Sequence, residues 1–373
     1  MRILHLTDHY PPVLGGIEAY VAGLARRQRA RGDDVTVLTS TPDERNESPA
    51  ASSHVRVVRA RSLREGAAVD FATFDVVHAH VSVVAPFSAP LAGVAARSGV
   101  PTVVTVHSMW NGLGPLPAMA ASVAGLRSAP VAWTAVSRVA AEQLAPQLPQ
   151  GTQVSVVPNA VDTRSRARTP RQRHDHSVQL VSTMRLARRK RPLQLVRMFA
   201  SLQGQVDLPL GLTVVGDGPL LRPLERLLAR AGLETAVTLA GRVEPAQVVE
   251  LLGAADVYVA PSIRESFGLA ALEARCVGLP VVGHAASGLT DFIEHGVEGF
   301  LCRSDADMVA ALRLLALDDA MRRRISEHNR TVDTDMTWTN SLSRHDQVYA
   351  EATRSFSGLP PRGLPRHLRS TLP

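Results

Sequence analysis

Two carboxylates, Glu265 and Glu273, stand eight residues apart in Pro261-Ser262-Ile263-Arg264-Glu265-Ser266-Phe267-Gly268-Leu269-Ala270-Ala271-Leu272-Glu273-Ala274. The apolar run 257–260 ahead of them predicts a buried strand. Pro261-Ser262 stops it, and the pattern that follows predicts a helix starting near Glu265. On one helix, eight steps leave the two acids roughly 80° apart around the axis and about 12 Å apart along it. Acids so placed suit a long ligand with hydroxyls at both ends and a negative middle, and a nucleotide-sugar is such a ligand. The helix N-terminus beside Ser266, Phe267 and Gly268 offers backbone N–H groups to a diphosphate, and Gly268 lets a ligand come close to the backbone. A solvated helix face can carry the same two glutamates by chance. The strand-Pro-Ser turn before the first acid, and the glycine between the two, favour a site.

Other turns carry weaker chemistry. In Leu14-Gly15-Gly16-Ile17-Glu18 two glycines permit close backbone approach, and the helix start after them favours an anion; a plain tight turn has the same composition. Val215-Gly216-Asp217-Gly218-Pro219 follows a strand pattern and opens a helix, as an ordinary turn also does. Gly241-Arg242-Val243 ends the next strand pattern. His78, His80 and His107 stand at the ends of two successive strands of the first half, which brings imidazoles toward one cleft. Neither His78 nor His80 has an acidic neighbour to complete a metal site, and both are expected to shape the loop there. Lys190 is the single lysine of the chain, set among arginines in Arg185-Leu186-Ala187-Arg188-Arg189-Lys190-Arg191-Pro192.

The elements that must position these residues alternate. Strand patterns at 3–7, 35–38, 55–58, 76–79, 102–106 and 133–136 accompany a helix at 17–31 that ends at Gly32. The alternation restarts with strands at 178–182, 212–215, 237–240, 257–260 and 280–282, separated by helices at 192–203, 219–231, 245–254 and 266–276. Continuous apolar runs of this length suit parallel sheets buried on both faces. Two successive βα runs predict an α/β protein of two doubly wound, Rossmann-like domains, whose ligands bind at the carboxyl ends of strands. The domains are expected at 1–162 and 178–337, with a basic linker at 163–177, a last helix at about 338–356 and a disordered basic tail at 357–373.

Composition narrows the function classes. The 373 residues are 45% hydrophobic, enough for two cores, and no stretch reaches the ~20 apolar residues of a membrane span. The N-terminus runs straight into a strand pattern, and the two cysteines, Cys276 and Cys302, have no metal-ligand or disulfide spacing. A cytoplasmic protein is the expectation. The net charge of +7 resides wholly in the linker, with five arginines and one aspartate, and in the tail, with three arginines and no acid. A basic face for nucleic acid is therefore not expected. Weak contact with anionic lipid, peripheral on the inner face of the plasma membrane, or simple solvation fits these segments. The apolar, Gly/Pro-punctuated segment 109–130 reads equally as a lid or lipid-facing loop and as a buried connection.

The Glu-x7-Glu run, with the Arg185/Lys190 pair and the Gly15-Gly16-Ile17-Glu18 turn, resembles the signature of the retaining GT-B glycosyltransferases of family 4. The resemblance extends through Ser137-Arg138, Val157-Pro158-Asn159-Ala160-Val161-Asp162 and the run from Ser287 to Gly299. Departures are Thr183-Met184 in place of a small glycine before Arg185, Ala160 where glycine is usual, and Asp291 in place of glutamate. The resemblance implies a GT-B fold, with two Rossmann-like domains facing a central cleft and the last helix crossing back onto the N-terminal domain through Trp338 and Tyr349. It implies a metal-independent, retaining transfer of a hexose from a UDP- or GDP-sugar to an acceptor hydroxyl, with no cofactor. Arg185 and Lys190 would hold the leaving diphosphate, since fixed cations stabilise charge building on phosphate oxygens. Glu265 would hold sugar hydroxyls and Glu273 the ribose. Gly16, Gly216, Gly218, Arg242, Ser266, Phe267, Gly268 and Leu269 would line the donor. His107 would touch the donor sugar, and Glu18 would lie on the acceptor side. Asn159 and Asp162 would be hinge hydrogen-bonders. The acceptor would be a cell-envelope glycolipid, a glycan or a small metabolite; a donor-binding subunit without catalysis is the non-enzymatic alternative.

Overall fold

Residues 1–13, 15–42, 55–110, 121, 124–162 and 177–356 are described by the computed structural model of the chain. The linker expected at 163–177, save Ser177, the tail 357–373 and the centre of the 109–130 segment lie outside the described residues. Two compact units emerge: Met1–Ala160 together with the chain from Trp338 onward, and Val161–Thr337.

The first unit is built on a parallel sheet of β1 (Arg2–Thr7), β2 (Asp34–Thr39), β3 (Arg56–Arg59), β4 (Val76–Val81), β5 (Thr102–Val106), β6 (Ala132–Ala135) and β7 (Val154–Val156), in the order β3-β2-β1-β4-β5-β6-β7. Every described pairing is parallel. Central strands buried on both faces explain the continuous Val/Leu/Ile runs: Ile3, Val35, Val37, Val76 and Val103 share one core. The helix Gly16–Ala30 connects β1 to β2 and gives way at Arg31 and Gly32, whose φ of 105° no residue but glycine adopts comfortably. The helix Trp338–Phe356 belongs to this unit. It buries Val348, Tyr349, Ala352 and Phe356, and its Trp338 ring stacks on Tyr20 with centroids 5.4 Å apart under the Arg27 guanidinium.

Two expectations for this unit change. His78 and His80 do not shape a loop: β4 continues to Val81, so both lie inside a fully buried strand. In the 109–130 segment, Met109, Trp110, Ala121, Ala124 and Leu126 are buried and Arg127, Ser128 and Pro130 are exposed, so the described part is a buried connection that surfaces at its end.

The second unit carries β8 (Val178–Thr183), β9 (Leu210–Val215), β10 (Val237–Gly241), β11 (Val257–Ala260), β12 (Val281–His284) and β13 (Gly299–Cys302) in the order β10-β9-β8-β11-β12-β13, again parallel. Strand β13 and the helices Asp305–Leu317 and Asp319–Thr331 go beyond the sequence reading. The first of these helices begins at a capping box between Ser304 and Asp307, and it sinks Met308, Leu312 and Leu315 into the core. Together these two sheets are the GT-B α/β architecture. Both cysteines are buried, and no helix among the described residues is long and apolar enough to cross a membrane.

Candidate functional site

The order β9-β8-β11 sets the loops after β8 and β11 side by side at the carboxyl ends of the second sheet. Arg185 follows β8 directly; it is exposed and has no side-chain partner among the described residues. A single 3-10 turn, Arg188–Lys190, then brings the chain to Arg191, which takes the left-handed conformation (φ 59°, ψ 43°) just before Pro192 opens the next helix. This turn is pinned to the loop after β11. Ser262 Oγ donates to the Arg189 carbonyl at 3.0 Å, and Arg191 donates to the Pro261 carbonyl at 3.0 Å while gripping Asp305 with both Nη atoms at 2.9 and 2.7 Å. Between these anchors Lys190 Nζ donates to Glu265 Oε2 at 2.5 Å, with both side chains half-buried.

Glu265 is not on the helix. The helix begins at Leu269, because Gly268 at φ 96° turns the chain left-handed immediately before it. The two acids therefore do not share one helical face. Glu265 stands in the preceding loop, held where its carbonyl accepts from Gly288 N at 2.8 Å. Glycine is needed at 268 on two counts: its φ, and the 2.7 Å that a Cβ would leave to Leu289 Cδ1. Ser266 in this loop and Leu269 at the helix start are both half-buried. The Phe267 ring is buried against Phe292, with centroids 5.4 Å apart, so only its backbone can face a ligand.

Glu273 is on the helix Leu269–Cys276. Its side chain is exposed at the surface, yet the protein packed around it displaces enough water to push its carboxyl up to about 7. Tyr258 on β11 feels both acids. Burial first, and then the charges of Glu265 and Glu273, raise its phenol far above the ordinary value, and the hydroxyl donates to the Thr183 carbonyl at 3.2 Å.

The glycines after β9 let two loops touch. A Cβ on Gly216 (φ 129°) would lie 1.9 Å from the Met184 carbonyl oxygen, and one on Gly218 (φ 156°) 2.7 Å from that of Leu186. Leu186 N donates to the Asp217 carbonyl at 2.9 Å, which fixes the path past Arg185. Arg242, beyond β10, is exposed.

In the first unit, Gly15 precedes the helix Gly16–Ala30, and the Glu18 carboxylate folds back into the space a Cβ on Gly15 would fill, 2.2 Å away. His107 follows β5 and is buried; its Nε2 lies 3.0 Å from His80 Nδ1. Sequence reasoning missed Asp8. Its carboxylate accepts from Phe87 N at 2.8 Å, Ser88 N at 3.2 Å and Ser88 Oγ at 2.5 Å, joining the loops after β1 and β4. It also missed that His5 joins His78 and His80: three imidazoles offer ring nitrogens within 4.8 Å of one another, enough for one metal ion without any acid. All six of these nitrogens already have protein partners: Gln28 and His80 for His5, Tyr349 and Thr105 for His78, His5 and His107 for His80.

Comparison with known proteins agrees with both units. The family described as Glycosyltransferase Family 4 matches residues 14–165, and the family described as Glycosyl transferases group 1 matches residues 164–332. An N-acetyl-alpha-D-glucosaminyl L-malate synthase of Bacillus anthracis is 32% identical over 169 residues, covering 44% of this chain and 43% of the relative, so the match spans less than half of that protein. A glycogen synthase of Mycobacterium tuberculosis is 28% identical over 97% of each chain. The crystal structure of Anabaena Alr3699/HepE in complex with UDP and glucose superposes with a TM-score of 0.75 over 96% of this chain and 100% of that one, at 20% identity. At that identity the likeness speaks for the fold.

Proposed function

We propose that this chain, which belongs to glycosyltransferase family 4, moves a hexose from a UDP- or GDP-sugar to an acceptor hydroxyl with retention of configuration and without a metal. The observation that carries the reading is the Lys190–Glu265 pair on two adjacent strand-end loops, with exposed Arg185 beside it. Departure of the donor breaks the bond between the anomeric carbon and the phosphate oxygen, and the electron pair leaves with the nucleoside diphosphate. Arg185 and Lys190 are cations fitted to that charge. Glu265 turns from Lys190 to the sugar hydroxyls, and Glu273 accepts from the ribose hydroxyls. Backbone N–H groups from Ser266 to Leu269 face the diphosphate at the helix start. Gly216 and Gly218 give the nucleotide close access to the backbone, and Arg242 stands at its base. His107 and Gly16 are the first unit's candidates for contacts with the sugar, and Glu18 for contacts with the acceptor. The acceptor oxygen attacks the face the diphosphate leaves, and its proton passes to the departing phosphate oxygen, so no protein base is required.

The UDP and glucose bound by the Anabaena protein support a nucleotide-sugar donor. Relatives named for a malate and a glycogen product differ in acceptor, so the acceptor class (glycolipid, glycan or small metabolite) is an assay variable. The test is a thermal-shift series with UDP, GDP, ADP and their sugars on the wild type, Lys190→Ala and Glu273→Ala, followed by NMR of the anomeric proton in any product. Selective stabilisation by one nucleotide, reduced in both variants, and an α-linked product support the reading. Donor binding without hydrolysis or transfer to any acceptor would leave a donor-binding subunit. No stabilisation at millimolar nucleotide would overturn the site.

A further inference from the structure

Buried polar groups run in an unbroken row across one face of the first sheet. His5 on β1 pairs in register with His78 on β4, and His80 with Thr105 on β5, so their side chains share that face. His5, His78, His80, Thr105 and Thr134 are each 2% exposed or less. Gln28, from the helix Gly16–Ala30, closes the row with Tyr349 of the helix Trp338–Phe356. Its Nε2 donates to the Tyr349 hydroxyl at 3.1 Å, and its Oε1 lies 2.7 Å from His5 Nε2. From there one branch runs from His5 Nδ1 to His80 Nε2 at 3.0 Å and from His80 Nδ1 to His107 Nε2 at 3.0 Å. The other runs from the Tyr349 hydroxyl to His78 Nδ1 at 2.8 Å, from His78 Nε2 to Thr105 Oγ1 at 2.7 Å, and on to Thr134 Oγ1 at 2.5 Å.

Each neutral imidazole has one donor and one acceptor nitrogen, so a choice at one end fixes every proton in the row. The far end makes that choice. The Val104 carbonyl, 3.5 Å from Thr134 Oγ1, can only accept, so Thr134 donates to it and accepts from Thr105. Thr105 then accepts from His78 Nε2–H, and His78 Nδ1 accepts from the Tyr349 hydroxyl. Tyr349 accepts from the Gln28 amide nitrogen, which turns the amide oxygen toward His5 to accept its Nε2–H. His80 Nε2–H therefore donates to His5 Nδ1, and His107 Nε2–H donates to His80 Nδ1.

We propose that Gln28 is a positioning residue that, through His5 and His80, holds His107 as the Nε2–H tautomer with its lone pair on Nδ1. Burial keeps the row neutral: it pushes His5 down to about 4 and His107 to about 3, and holds His78 and His80 well below the ordinary histidine value. The consequence for catalysis rests on the glycosyltransferase reading above: whatever group meets Nδ1 of His107 has to donate a hydrogen bond to it.

The test is long-range ¹H–¹⁵N correlation on the full chain labelled at histidine, with His107→Gln assigning the His107 signals. His5, His80 and His107 are expected as uncharged Nε2–H tautomers at neutral pH. In Gln28→Glu the carboxylate still accepts from His5, so His107 keeps its tautomer. In Gln28→Leu the row loses its anchor and His107 shows both tautomers, while turnover falls about tenfold with the donor KM nearly unchanged. His107 as Nδ1–H in the wild type, an unaltered His107 in Gln28→Leu, or one equivalent of zinc held by His5, His78 and His80 would each overturn the proposal. If Gln28→Leu does not fold, the wild-type and Gln28→Glu spectra decide. The spectra require no turnover, so failure of the relay and failure of the transferase reading are separate results.

Discussion

Lys190 Nζ and Glu265 Oε2 lie 2.5 Å apart, joining two loops that are 75 residues apart in sequence. The pair satisfies two groups that the proposed reaction needs for other partners: the cation for a diphosphate, the carboxylate for sugar hydroxyls. It therefore has to open when donor binds. A half-buried pair of this kind contributes about 1 kcal/mol. A double-mutant cycle of Lys190→Met and Glu265→Gln, read by urea unfolding, should give a coupling of that size without donor and a smaller one with saturating donor. In the transferase assay Lys190→Met should lower kcat by about 10²–10³-fold. Coupling that is unchanged by donor would mean that the pair stays closed and is structural.

Glu273 predicts a pH dependence of donor binding. Its carboxyl is pushed up to about 7, and an acceptor of ribose hydroxyls acts best ionised. Donor affinity should rise from pH 6 to pH 8 in the wild type and stay flat in Glu273→Gln. Stability runs the other way. A carboxyl whose folded-state pKa is raised contributes its full stability below the unfolded value and loses it as pH climbs through the folded one. Glu273→Gln should therefore gain on the wild type between pH 5 and pH 8 in thermal melts. Parallel melting curves across that range would show that Glu273 is ionised and solvated like any surface acid.

The glycines after β9 give a packing prediction. Gly216→Ala forces a Cβ onto the Met184 carbonyl and takes alanine to φ 129°, so a loss of about 3 kcal/mol is expected. Gly232→Ala, at φ 65° in open space, should cost about 1 kcal/mol. Equal losses in the two variants would show that the loop after β9 is free to move away from Met184.

The alternation of strands and helices was legible because strands buried on both faces are mostly apolar, as β1, β5, β8 and β11 are. The acids and cations of the second unit were legible as residues, but not their geometry. Nothing in the letters Ser266-Phe267-Gly268 says that Gly268 turns left-handed, so Glu265 reads as helical when it is not. Strand β13 begins at Gly299 within a glycine-punctuated run and reads as loop. The polar row on the first sheet is hidden for a different reason. His5 is one polar residue in an apolar strand, and only the register with His78 and the distant Gln28 and Tyr349 turn it into a network. Asp8 gives no sequence signal because its partners, Phe87 and Ser88, are backbone and hydroxyl donors 79 and 80 residues away.

Arg191 separates backbone strain from loop anchoring. Its left-handed conformation costs a non-glycine residue about 1 kcal/mol, yet the turn carrying Lys190 depends on its bonds to Asp305 and the Pro261 carbonyl. Arg191→Ala loses the bonds and keeps the strain; Arg191→Gly loses the bonds and releases it. The glycine variant should therefore be the more stable of the two by about 1 kcal/mol in urea unfolding. Donor affinity should fall in both, because Lys190 is no longer held against the loop after β11. Asp305→Asn should reproduce part of that fall while leaving the backbone conformation untouched. Wild-type donor affinity in Arg191→Gly would show that Ser262 and Glu265 are enough to hold the turn.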